Sequence, residues 1–154
     1  MKTNAVRILE LQNIPHSTME YEFNEDEIDA VSVAKKIGAN PETVFKTLVA
    51  RNEKNELHVF VIPGNFELNL KKAAQASSSK KIEMIKVKEL QPLTGYIRGG
   101  CSPIGMKKLF PTYIDETAQL NDLISVSAGM RGMQIKLSPY DLAKTINAQF
   151  ADLI

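Results

Sequence analysis

Apolar and polar positions along this chain fall into short segments of two periods. Near the start, Ala5, Ile8 and Leu9 recur at helical spacing with Gln12 on the same face, Thr3 stands where a cap belongs, and Pro15 closes the segment. Residues 18–23 alternate, which places Met19, Tyr21 and Phe23 on one side of an expected strand. Val31, Val33, Ala34 and Ile37 mark a second helix that Gly38 ends, and the acids Glu25, Asp26, Glu27 and Asp29 fit its positive end. Asn40, Pro41 and Glu42 form a cap-plus-proline turn leading into a strand over 44–51. A polar turn at 52–56 joins it to a second arm over 57–63, in which His58 is expected to be packed beside Phe60 and Ile62.

Further along, Asn69 caps a helix through Ala76 that the serines at 77–79 break, and the apolar run 82–87 reads as an edge strand or as part of an αβ junction. Strands are expected at 112–115 and 123–127. The turn Gly129, Met130, Arg131, Gly132 then leads into a hairpin arm over 134–137. Ser138 and Pro139 start a last helix, with Leu142, Ala143, Ile146 and Phe150 at helical spacing. Several short strands without regular βα alternation predict an α+β fold with a mixed, mostly antiparallel sheet curled into a barrel-like form and flanked by helices. No repeat or linker divides the chain, so one domain over residues 1–154 is expected.

Composition changes this picture in two places. A single cysteine, Cys101, excludes an internal disulfide, and with only two histidines, His16 and His58, a cysteine-rich zinc site is excluded as well. The first fifteen residues alternate charged and apolar positions without an apolar core, unlike a signal peptide or membrane span, so a cytoplasmic protein without membrane association is expected. The net charge is +1 at neutral pH. It is unevenly spread: residues 1–68 hold 7 basic and 11 acidic side chains, whereas 69–154 hold 12 and 7. A basic C-terminal part can steer a phosphate-bearing partner.

Candidate chemistry concentrates in residues 94–108. Gly95, Gly99, Gly100 and Gly105, four of the eight glycines, share this run with Arg98, Lys107 and Lys108. Bare backbone of this kind can approach an anionic ligand closely. The run is not a P-loop, because Met106 follows Gly105 where lysine is required. Nor is it a nucleophile elbow, because Pro103 follows Ser102 and has no N–H to donate to an oxyanion. The second signal is Lys46, a cation inside the apolar strand 44–51 with apolar neighbours on either face. It either snorkels from a half-covered sheet or is held in a pocket, where burial lowers a lysine pKa.

The pieces Val44-Phe45-Lys46-Thr47-Leu48-Val49, Gly95-Tyr96 through Gly99-Gly100, Ser102-Pro103-Ile104-Gly105-Met106-Lys107-Lys108, and Ser127-Ala128-Gly129 with Arg131-Gly132 stand in one order. Together they resemble the YbaK family of free-standing aminoacyl-tRNA editing deacylases, related to the editing insertion of bacterial prolyl-tRNA synthetase. The resemblance implies clearance of cysteine from mischarged tRNA for proline, with tRNA for cysteine as a side substrate. It implies no cofactor and no metal. The partners it implies are the acceptor end of mischarged tRNA and prolyl-tRNA synthetase itself. It makes Lys46 the essential lysine and places Thr47, Gly99, Gly100, Ser127, Gly129 and Arg131 around the pocket, with Tyr21 as an aromatic residue nearby. Cys101 stands at the same wall where the family has an aliphatic residue, and Ala128 where it often has glycine. The family is held to use the substrate's own thiol. Two alternatives remain open at this point: a deacylase for another small amino acid such as alanine, or a non-catalytic module that binds tRNA or a synthetase.

Overall fold

The computed structural model describes residues 2–154. Its first helix, α1 (Asn4–Leu11), starts as expected, with Thr3 Oγ1 accepting from the Val6 N–H at 3.2 Å. It buries Ala5, Val6 and Leu9. Strand β1 (His16–Glu20) is shorter and earlier than residues 18–23. Its ladder with the later strand ends where the Tyr21 N–H reaches the Gly132 carbonyl, and Phe23 is left exposed in a loop. Helix α2 (Ala30–Ile37) takes Asp29 as its cap and Gly38, at φ 70°, as its stop, while Val31 points outward at 42% exposure.

After a 3-10 turn at Pro41–Thr43, strands β2 (Phe45–Asn52) and β3 (Leu57–Pro63) form the expected hairpin, with Lys46 opposite Ile62 and Ala50 opposite His58. Asn69 caps α3 (Leu70–Ala76). The run 82–87 divides: only β4 (Ile82–Met84) is strand, and Val87 opens α4 (Val87–Thr94), a helix whose internal Pro92 conceals it from the periodicity. Gly95, at φ 88°, stops it. Strand β5 (Thr112–Asp115), strand β6 (Ile124–Ser127), strand β7 (Met133–Leu137) and helix α5 (Pro139–Ile146) follow. Phe150 does not continue α5. Asn147, at φ 52°, ends the helix, the Ala148 N–H closes back on Ala143 O, and Phe150 joins β8 (Gln149–Ala151).

The strands make two sheets, ordered β1-β7-β6 and β4-β2-β3-β5-β8. Pairing is antiparallel except for β3–β5 and β5–β8, so the sheet is mixed and mostly antiparallel. It is not a closed barrel. A lone parallel bridge, Val44 to Ser125, ties the sheets where β2 begins, and the outer edges stay apart. Between the sheets, Phe45, Val49, Val59, Val61 and Ile114 meet Ile124, Val126, Ile135 and Leu137, with α1 and α5 closing the ends. On the opposite face, Ala50, Phe60 and Ile62 pack against Ala73 and Ala74 of α3. Each fully buried Leu, Ile or Phe contributes about 1.5–3 kcal/mol by leaving water.

Candidate active site

β4 pairs with β2 only at Ala50–Asn52. Upstream, among the described residues, the outer edge of β2 has no partner strand beyond the bridge from Val44 to Ser125. The Val49 carbonyl points to that side, where it accepts from the Ile85 N–H at 3.3 Å, so by antiparallel alternation the Thr47 peptide also faces it. A cleft of about 500 Å³ runs along this bare edge, lined by all five residues from Phe45 to Val49. Its other walls come from the acidic turn before α2, the β4–α4 junction, the glycine run and the start of the β6–β7 hairpin.

Lys46 is half-buried in this cleft. Its Nζ donates to the Gly64 carbonyl at 3.4 Å, and among the described residues no carboxylate lies within ion-pairing distance. Burial pulls its pKa below the ordinary lysine value, while the fields of Glu67 and Asp29 oppose that and favour the charged form. Asp29 also caps α2, accepting from the Ser32 N–H at 3.1 Å and Ser32 Oγ at 2.6 Å, which holds its carboxylate below the usual range. Of the acidic cluster expected at the positive end of α2 only Asp29 caps it, while Glu25, Asp26 and Asp29 line the cleft.

Thr47, Gly99, Cys101 and Ser127 line the same cleft. Gly99 has φ 84°, and a Cβ there would stand 2.8 Å from Ile28 Cβ, so glycine is required for the acidic turn to lean on this loop. The Cys101 thiol is buried and its pKa is pushed up to about 12, which leaves it as the protonated, unreactive form. Ser102, fully buried, accepts the Ile104 N–H on its hydroxyl.

Four of the sequence candidates stand behind the wall or away from it. At Gly100 the two glycine-containing loops touch backbone to backbone, since a Cβ would lie 3.0 Å from Arg131 N and 3.1 Å from Met130 Cα. The Gly100 N–H is engaged by Ile97 O. Arg131 Nε donates to Arg98 O at 2.9 Å, a second tie between these loops. Gly129, at φ 104°, accommodates the ring of Tyr96, and its N–H donates to Ser127 Oγ at 3.2 Å. Tyr21 packs with Val33, Ala34 and Val44 and borders a different, acidic groove. His58 is packed as expected, near Phe60 and Tyr113, and burial lowers its pKa.

Two contributors escaped the sequence reading. Gly64, just after β3, is wedged against α2, because a Cβ would lie 2.5 Å from Ala30 Cβ and 2.8 Å from Val44 O. The Pro63-Gly64 pair ending an apolar run was its signal. Gln134, opposite Ser127 in the β6–β7 ladder, lines the cleft at 4% exposure, and its Oε1 is buried without a hydrogen-bond partner. Thr47 Oγ1 is in the same condition. Among the described residues these two buried oxygens beside the cleft have no hydrogen-bond partner, which is uncommon for buried polar atoms. No three His, Cys, Asp or Glu side chains among the described residues converge as a metal-ligand set.

The model of the aminoacyl-tRNA editing domain family matches residues 25–145. An Enterococcus faecalis protein, EbsC, named a candidate Cys-tRNA(Pro)/Cys-tRNA(Cys) deacylase, is 52% identical over 152 residues, covering 99% of this chain and 93% of its own. A proline–tRNA ligase of Shouchella clausii is 29% identical over 99 residues, 64% of this chain and 17% of the ligase. Among solved structures, a candidate trans-editing enzyme for prolyl-tRNA synthetase superposes with a TM-score of 0.84 at 25% identity, covering 99% of this chain and 98% of the other.

Proposed function

The chain belongs to the aminoacyl-tRNA editing domain family, and on that premise we propose that it is a trans-editing deacylase that removes cysteine from Cys-tRNA(Pro) and from Cys-tRNA(Cys). The whole chain, residues 1–154, acts as one editing domain in the cytoplasm, on the acceptor end of tRNA and in company with prolyl-tRNA synthetase. The observation that carries the reading is a half-buried cation, Lys46, on a bare strand edge with two unsatisfied buried oxygens in the same cleft.

An aminoacyl ester is already activated, so the protein has to position it and stabilise charge. In this reading the Lys46 ammonium faces the ester carbonyl oxygen, where negative charge develops. Gln134 Oε1 and Thr47 Oγ1 accept from the α-ammonium, with Asp29 adding negative field. Gly99 is the point at which backbone comes closest to the substrate. The attacking atom is the substrate's own sulfur: its bond to the carbonyl carbon forms, the bond from that carbon to the ribose 3′-oxygen breaks, and the thiol proton ends on that oxygen. Cys101 takes no part.

A panel of tRNA(Pro) charged separately with cysteine, alanine and proline tests this. Only the cysteine ester is expected to be cleared faster than it decays in buffer. Alanine is smaller than cysteine, so no pocket that holds cysteine can reject it by size. Hydrolysis of alanine at a similar rate would replace the thiol by water as nucleophile. A panel with no member cleaved would reduce the protein to a binding module.

A further inference from the structure

The cleft does not end at the reacting centre. At its far end lies the β4–α4 junction, where Met84, Ile85, Val87 and Leu90 make an apolar ledge that includes exposed carbons, Met84 at 42% and Val87 at 62% exposure. One cation, Lys86, stands on this ledge, and a second, Arg98 of the glycine run, lines the same cleft. Neither is in an ion pair among the described residues, whereas the acids Glu25, Asp26 and Asp29 line a separate wall, the turn before α2. Met84 pairs with Ala50, four residues along β2 from Lys46, a separation of about 13 Å at ~3.3 Å per residue.

An apolar ledge in a cleft that also holds two cations outside any ion pair suits single-stranded nucleic acid, whose bases offer flat apolar faces and whose phosphates need neutralising. We infer that the β4–α4 ledge binds the unpaired nucleotides that precede the terminal adenosine of the tRNA, a base lying on Met84 and Val87 and phosphates meeting Lys86 and Arg98. This rests on the deacylase reading above and adds an orientation to it. The acidic turn receives the α-ammonium of the aminoacyl group, and the polyanionic strand leaves over the cationic end.

The test compares full-length cysteinyl-tRNA(Pro) with 3′-cysteinyl-adenosine, which lacks the preceding nucleotides. Val87→Asp is the informative variant. Val87 is the first residue of α4, where an acid is compatible with the helix dipole, so the fold tolerates the change while the ledge becomes repulsive to phosphate. Expected is a loss in kcat/KM of about 10–100-fold on the full tRNA, the size of one lost base stack. Turnover of 3′-cysteinyl-adenosine should be unchanged, and Val87→Leu should retain both activities. Lys86→Ala and Arg98→Ala should each flatten the salt dependence of tRNA binding by about 0.7 in log–log slope. Equal loss on both substrates, or loss on neither, overturns the inference. Should the unmodified protein cleave neither substrate, the deacylase reading falls. Filter binding of uncharged tRNA then decides the ledge alone: weaker binding by Val87→Asp supports it and equal binding overturns it.

Discussion

Replacing Lys46 by methionine separates chemistry from stability most cleanly. Methionine keeps most of the length and an apolar stem while removing the charge and its hydrogen-bond donors. The ammonium donates one long hydrogen bond, 3.4 Å to Gly64 O, and burial disfavours its charged form, as the lowered pKa records. Folding therefore gains little from the charge. At pH values between the lowered folded pKa and about 10.4, the unfolded chain binds more protons at this site, so the native protein becomes more stable as pH rises through that window. The Lys46→Met variant lacks this rise, and at neutral pH its stability should lie within about 1 kcal/mol of the parent, a Tm change within about 4 °C for a chain of this size. Activity is different. Losing one preorganised charge donor to a developing oxyanion costs about 2.7–4 kcal/mol, or roughly 100–1,000-fold in kcat. The assay is single-turnover release of cysteine from Cys-tRNA(Pro), with thermal melting run alongside. A loss below tenfold at unchanged Tm would refute the role given to Lys46, and a loss accompanied by a collapsed Tm would make the residue structural instead.

Two further outcomes follow from the geometry. Gly99→Ala combines positive φ, which costs an L-residue roughly 1–2 kcal/mol, with a Cβ only 2.8 Å from Ile28 Cβ; differential scanning calorimetry should show a Tm lowered by roughly 4–8 °C, with KM raised as the acidic turn is pushed off the loop, and an unchanged Tm would contradict this packing. Cys101→Ser should leave kcat within about twofold, because the buried thiol has its pKa pushed up to about 12 and is not a nucleophile; the native thiol should also resist iodoacetamide at pH 7 until the protein is unfolded, and rapid alkylation of the folded form would contradict its burial.

Much of the scaffold was legible because it depends on short-range chemistry. Thr3, Asp29, Asn69 and Ser138 cap the helices that follow them, and Gly38 ends one of them, whereas α4 and its stop at Gly95 were not legible. The boundaries that moved did so under long-range pairing. Phe150 has helical spacing, but β5 offers a parallel edge opposite Ile114, and Asn147 turns the chain toward it. The 82–87 run left edge strand and αβ junction open, and pairing decided it, because β2 pairs with it only as far as Met84.

The same division holds for the site. By itself the sequence determined that Lys46 sits in an apolar strand, that the glycine run is neither a phosphate loop nor an elbow, and, through motif order, which family the chain resembles. These depend on residue type and local spacing. Tertiary structure alone decided which of the candidates share a cavity. Thr47, Gly99, Cys101 and Ser127 join Lys46, while Gly100, Gly129 and Arg131 hold two loops together behind them and Tyr21 turns away. It also added Gln134 and Gly64, whose roles come from contacts with distant segments. The physical reason is where β4 stops: an edge without a partner strand around Lys46, Thr47 and Leu48 exists only once the sheet has formed, and no local pattern of residues encodes where a partner strand will end.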